Sequence, residues 1–179
     1  AGPGGYIAAI RASQLGKKVA IIESDKLGGV CLNRGCIPTK AVLKSAHSVH
    51  ELSDFKDLGI NVDLKSLDGG QAVKRSKAIS DRISKGVGFL MKKNKIDVIQ
   101  GTGKVKAGKK VAVAAADGST KEYSATKAVI VATGARSRQL PNLPQDGKKI
   151  IGYREAMVLP TLPKKMVVVG SGAIGVEFA

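Results

Sequence analysis

The sequence predicts an α/β protein, doubly wound around a mainly parallel sheet, with a small antiparallel meander inserted. Three observations predict it. Short apolar runs without alternation occur at Val19-Ala20-Ile21-Ile22, Ala128-Val129-Ile130-Val131-Ala132 and Met166-Val167-Val168-Val169, and such runs suit strands covered on both faces. Amphipathic stretches with helical spacing lie between them. Glycine clusters stand at residues 2–5 and 170–175, where a chain passing from strand to helix has to turn tightly.

From Gly5 to Leu15, the apolar residues Ile7, Ala8, Ile10 and Leu15 suit a helix, and Gly16 suits its stop. A strand follows at 19–22 and closes on Glu23. A second helix begins near Pro38, with Val42, Leu43, Ala46 and Val49 on one face, and fades near Ser53. Residues 55–70 read as loop, with strand character at 59–62. A long helix is predicted from Gln71 to Asn94. Ile79, Ile83, Val87, Leu90 and Met91 form its apolar stripe, and Gly86 and Gly88 weaken its last turns. Ile96 to Ile99 reads as a strand, and Lys104 to Tyr123 as a meander turning at Lys109-Lys110 and Asp117-Gly118. Residues 136–163, with Pro141, Pro144, Pro160 and Pro163, read as a linker before the strand at 166–169.

The chain has 179 residues, 43% of them hydrophobic, enough for a real core. Aromatic residues are only 3%, so that core must be aliphatic. No apolar run approaches the roughly 18 residues of a membrane span, and no signal peptide opens the sequence. The net charge of +16 invites a nucleic-acid-binding reading. The lysines are scattered, however, and aromatics to stack on bases are nearly absent, which favours a solvated basic surface. A basic, non-catalytic nucleic-acid module is the alternative of a different class.

Cys31 and Cys36 are the only cysteines, with four residues between them, in Gly28-Gly29-Val30-Cys31-Leu32-Asn33-Arg34-Gly35-Cys36-Ile37-Pro38-Thr39-Lys40. A loop this short restricts the unfolded chain little, so a stabilising staple is the weaker reading and reversible redox exchange the stronger. On a straight helix the two positions are rotated by about 140°, so a disulfide needs a distorted turn, which Gly35 allows. A helix N-terminus there favours a thiolate, and Lys40 adds positive charge nearby. Inert thiols or a metal site are the other readings. A metal site lacks ligands, since the only histidines are His47 and His50.

The glycine clusters point to nucleotides. Gly170, Gly172 and Gly175 complete a G-x-G-x-x-G directly after a strand, with Ala173 and Ile174 inside it. At the other cluster Gly2 and Gly5 take the second and third places, the first falling one residue before Ala1. Glu23 follows about 20 residues on, where a carboxylate binds a ribose hydroxyl. Glycines at such turns also serve packing. Two dinucleotide turns with a dithiol between them point instead to electron transfer from dithiol to flavin to nicotinamide.

The segment from Gly28 to Lys40 resembles the redox-active disulfide motif of the flavin-dependent disulfide reductases, and Ala132-Thr133-Gly134-Ala135-Arg136 resembles the segment closing their FAD domain. Tyr153-Arg154-Glu155-Ala156-Met157 and residues 170–179 are most similar to the dihydrolipoamide-oxidising members. The resemblance implies a Rossmann-like FAD-binding domain over 1–140 lacking its first strand, a linker over 141–164 and the start of an NAD-binding domain over 165–179. It implies FAD contacts for Gly2, Gly4, Gly5, Glu23, Gly28, Gly29, Val30, Cys31, Lys40, Gly103, Thr133, Gly134 and Ala135. It implies NAD contacts for Gly170, Gly172, Ala173, Ile174, Gly175 and Glu177. Cys31 would exchange with the dithiol substrate, Cys36 would face the flavin, and Lys40 would pair with Glu177. Val30 stands where many members have Thr, and Arg34 where a small apolar residue is common.

The reaction so implied is oxidation of dihydrolipoamide, carried on the lipoyl domain of an acyltransferase component, with FAD and NAD as cofactors and no metal. A homodimer formed through a further C-terminal domain, which would also supply a catalytic His-Glu pair, is implied too. His47 and His50 read as helix-surface residues. The expected setting is the cytoplasm, or the mitochondrial matrix in a eukaryote, with neither nucleic acid nor membrane as partner. Glutathione reductase, mercuric reductase and transhydrogenase are rival readings within the family.

Overall fold

The computed structural model describes all residues, 1–179. It falls into two compact units, one made of Ala1–Asn33 with Asp81–Ala135 and the other of Arg34–Ser80 with Arg136–Ala179.

The first unit opens with helix α1 (Pro3–Gln14), whose first residue is a proline. Proline is at home there because its missing N–H would have had no helical partner. The helix stops where Gly16 takes a φ of +74° and donates to the Ser13 carbonyl at 2.9 Å. Strand β1 (Ala20–Glu23) pairs in parallel with β2 (Asp97–Gln100), Ala20 opposite Asp97 and Glu23 opposite Gln100. Strands β3 (Thr102–Lys106), β4 (Lys110–Ala114) and β5 (Thr120–Ser124) form the antiparallel meander. Its turns use left-handed residues, Gly108 and Lys109 in one and Gly118 in the other. Val111, Ala112 and Val113 are all buried, so β4 is covered on both faces.

The disulfide segment is two helices rather than one. Helix α2 (Gly29–Arg34) ends at Gly35, and α3 (Cys36–Glu51) starts immediately after it. A short 3₁₀ turn follows at Asp54–Lys56, and then α4 (Gly69–Lys93). Val87 and Met91 are buried in the first unit, where the Ser13 hydroxyl also donates to the Asn94 carbonyl at 2.5 Å. In the second unit Pro38, Thr39 and Ala41 are buried on α3, and the Arg75 guanidinium donates to the Ala41 carbonyl at 3.0 Å. Two short helices complete that unit, α5 (Tyr153–Ala156) and α6 (Ala173–Phe178).

Three predicted strands do not form ladders. Residues 59–62, 128–132 and 166–169 lie outside every strand. The last two runs are strongly apolar yet open to solvent, with Ile130 68% and Val167 87% exposed. Apolar, β-branched sequence favours extended backbone, but a strand exists only where a neighbour accepts and donates its hydrogen bonds. Neither run finds that neighbour among these residues. The region read as linker contains α5 and a bridge between Leu140 and Leu143. No helix is long and apolar enough to cross a membrane.

Candidate active site

In the first unit the predicted residues converge. The Gly28 amide donates to the Ala1 carbonyl at 2.9 Å. Gly28 and Gly29 take φ values of +96° and +60°, the left-handed region that glycine enters without penalty. The approach is so close that a Cβ on Gly29 would lie 2.5 Å from the Gly2 Cα. A Cβ on Gly5 would lie 3.6 Å from the Ala132 Cβ, in the segment that leads to Thr133, Gly134 and Ala135. Gly134 is left-handed as well, in open space.

Helix α1 starts here with no side-chain cap and no acid in its first turn. Its first amides are therefore available to an anion, with the helix dipole behind them. Glu23, at the end of β1, accepts from the Asp25 amide at 2.8 Å and from the Ala1 nitrogen. Burial disfavours its charge, and the amides of Asp25 and Ser24 favour it. Glu23 is thus a carboxylate acceptor beside a bare glycine turn. Gly103 lies on β3, where a Cβ would stand 3.3 Å from Val111 and 3.4 Å from Ile22, pressing lightly on both side chains.

Cys31 and Cys36 are joined in a disulfide. Cys31 is the third residue of α2 and Cys36 the first of α3, so the break at Gly35 supplies the turn that a straight helix could not. Cys31 and Val30 are half-buried and Cys36 is exposed. No group of three or more metal-binding side chains exists, and both sulfurs are engaged with each other.

In the second unit Lys40, on α3, donates to the Glu177 carboxylate on α6. Thr39, 6% exposed, donates its hydroxyl to the Gly35 carbonyl at 2.7 Å and lies 3.1 Å from the sulfur of Met157, itself 6% exposed. Gly170 takes a φ of +127°, and a Cβ on Gly175 would fall 2.1 Å from the Gly170 carbonyl oxygen. The third glycine of the motif is therefore required by the close approach of its helix to the preceding turn. Gly172 caps α6, and Ala173 and Ile174 form its first turn. A cavity of about 270 Å³ beside Glu177 is walled by Thr39, Val42, Leu43, Ala46, Met157 and Phe178.

Four supporting residues were not legible as such in the sequence: Thr39, Met157, Asn33 and Ser84. The Asn33 amide donates to the carbonyls of Leu27 (3.0 Å) and Gly29 (2.9 Å), and the Ser84 hydroxyl donates to Leu27 at 2.6 Å. Asn33 lies inside the cysteine motif, but its partners depend on a turn whose path spacing does not reveal.

A glycine turn with free helix amides, a carboxylate beside it and a reactive disulfide define the class of a nucleotide-binding, disulfide-dependent redox protein. Residues 1–179 match the pyridine nucleotide-disulphide oxidoreductase family throughout, and the chain belongs to that family. Its members are oxidoreductase enzymes that use FAD and NAD. The chain is 47% identical over 178 residues to a dihydrolipoyl dehydrogenase of Zymomonas mobilis and 50% identical to one of Chlorobaculum parvum. Each match covers 99% of this chain and 38% of the relative, so the chain spans well under half the length of these relatives. Among solved structures, LpdA from Mycobacterium tuberculosis superposes with a TM-score of 0.79 at 29% identity, covering 90% of this chain and 36% of that one. The doubly wound, Rossmann-like class predicted from the sequence is the class of that structure.

Proposed function

We propose that the whole protein oxidises dihydrolipoamide to lipoamide, with FAD as intermediate carrier and NAD⁺ as final acceptor, as the dihydrolipoyl dehydrogenase component of 2-oxo acid dehydrogenase complexes. The observation that carries this is the Cys31–Cys36 disulfide across the α2–α3 break, in a chain about half identical to proteins named dihydrolipoyl dehydrogenase.

The chain's own residues account for the dithiol half of the reaction. A substrate thiolate attacks the Cys31 sulfur, a substrate–Cys31 bond forms, the Cys31–Cys36 bond breaks, and Cys36 leaves as a thiolate. The second substrate thiol, deprotonated, attacks the substrate sulfur of that mixed disulfide. Lipoamide departs oxidised by two electrons, and Cys31 and Cys36 are left reduced.

The cradle fits a dinucleotide: Gly2, Gly4 and Gly5 offer backbone without side chains, the start of α1 offers free amides, and Glu23 offers a carboxylate acceptor for a ribose hydroxyl. Bound there, FAD supplies two-electron exchange between a thiolate and a nicotinamide. In this reading Gly28, Gly29, Val30, Cys31 and Lys40 line the flavin side, while Gly103, Thr133, Gly134 and Ala135 complete the site. Gly170, Gly172, Ala173, Ile174, Gly175 and Glu177 serve NAD. The same reading assigns 1–140 to the FAD-binding domain, 141–164 to a linker and 165–179 to the NAD-binding domain. The lipoyl domain of an acyltransferase is the partner, the protein is a homodimer, and the compartment is the cytoplasm or the mitochondrial matrix.

Replacing Cys36 by Ser in the full-length protein is expected to reduce lipoamide-dependent NADH formation to background. Unchanged turnover would overturn the proposal. One relative, 44% identical, is named leghemoglobin reductase, from Vigna unguiculata, so a different acceptor is the second reading. Parallel assays of dihydrolipoamide oxidation and of nicotinamide-dependent leghemoglobin reduction separate the two, and glutathione disulfide and Hg(II), each with both nicotinamides, test the other members of the family.

A further inference from the structure

We propose that Asn33 is a positioning residue that holds the reduced form of Cys31 ready for the disulfide to reclose. The inference rests on the redox reading of Cys31–Cys36 but not on the identity of the substrate.

Cys31 sits on α2, a helix of six residues. A helix this short does not hold itself in water, and it is entered through two successive left-handed glycines. Asn33, near its end, reaches back across its start, using both amide hydrogens on the carbonyls of Leu27 and Gly29. Those partners only accept, so the nitrogen must face them. The Ser84 hydroxyl, from α4, donates to the same Leu27 carbonyl. The Asn33 side-chain oxygen is buried with no hydrogen-bond partner, a costly arrangement for an amide and hence a poor choice for a position that only fills space.

In the oxidised state the disulfide and this clamp both restrain α2. When the disulfide opens, the clamp alone remains. Without it the dithiol gains conformational freedom that the disulfide form cannot share. The thiol–disulfide equilibrium then moves toward the dithiol, by the loop-closure argument that makes tethered thiols good disulfide formers.

The test is the exchange constant of Cys31–Cys36 against glutathione redox buffers, read by alkylation and mass spectrometry on the full-length protein. Asn33→Asp keeps the shape but sets an acceptor against two acceptors, and Asn33→Ala removes the donors. Each is expected to shift the constant roughly tenfold toward dithiol, since two hydrogen bonds of ordinary strength are at stake. Ser84→Ala, outside the cysteine loop, is expected to shift it about threefold the same way. It also keeps the proposal testable if the Asn33 variants do not fold. In the double variant the two effects should be non-additive, because both side chains hold one carbonyl. Constants within twofold of the parent for all variants would overturn the proposal, as would lower denaturation midpoints of both redox forms without a change in the constant. A parent disulfide that does not open reversibly would overturn the redox reading itself.

Discussion

Gly29 and Gly134 show how two glycines of one site can be needed for different reasons. Gly29 is both left-handed and pressed against Gly2, whereas Gly134 is left-handed in open space. Gly134→Ala meets only the left-handed backbone penalty, about 1–2 kcal/mol. Gly29→Ala adds overpacking against backbone, worth about 1–3 kcal/mol more. Denaturant titration of the full-length variants should therefore rank Gly29→Ala clearly below Gly134→Ala, and equal losses would contradict the close approach. Lys40–Glu177 is a different case. Both side chains keep solvent contact, 59% and 31% exposed, and such pairs contribute at most about 1 kcal/mol. Glu177→Gln is expected to leave the denaturation midpoint almost unchanged while altering turnover. A large stability loss with intact turnover would assign the pair to structure.

Between elements, cross-strand contacts carry a pH dependence. Glu122 on β5 accepts from Lys110 at 2.8 Å and lies 3.5 Å from Lys106. The hydrogen bond from Lys110 first, then the charges of Lys110 and Lys106, hold its carboxyl below its ordinary value near 4.5. A depressed carboxylate stabilises the fold above its unfolded pKa, and that contribution is lost as pH falls through the folded one. Amide exchange in β4 and β5, normalised for intrinsic rate, should accelerate between pH 5 and pH 3. Glu122→Gln, or about 1 M salt, should remove most of that response. The meander itself was legible, because its turns need left-handed residues and Asp117-Gly118 announces one. The long helix α4 was legible despite Gly86 and Gly88, and the second glycine has a tertiary reason: a Cβ there would lie 3.8 Å from the Leu27 side chain. The two-helix form of the cysteine segment was only half legible. Spacing required a distortion near Gly35 but did not show whether a helix bends or ends.

Across the molecule, eleven apolar residues are buried, and large apolar side chains remain exposed on runs without ladders. Ile130, Val131, Val167 and Val169 are all more than half exposed. Exposed patches of this kind mark surfaces that are covered in the working protein. The 179 residues in isolation are expected to bind a hydrophobic dye and to exchange amides at 128–132 and 166–169 as fast as loops. In the full-length protein the same amides should be protected. Equal exchange in both would mean that these runs are ordinary surface. The net charge of +16 works in the same direction, since self-repulsion weakens a compact state with little core to oppose it.

What the sequence determined by itself is local. Glycine spacing set the tight turns at residues 2–5 and 170–175, the pair Cys31 and Cys36 set a short loop, and apolar periodicity set the longer helices α1, α3 and α4. These follow from backbone sterics and side-chain period, which act over a few residues. The tertiary structure alone decided that Asn33 and Ser84 share the Leu27 carbonyl and that Thr39 meets Met157. It also decided that β1 and β2 pair while the more apolar runs at 128–132 and 166–169 do not. Those outcomes depend on which distant backbone and side-chain groups come within hydrogen-bonding reach, and sequence spacing carries no record of that distance.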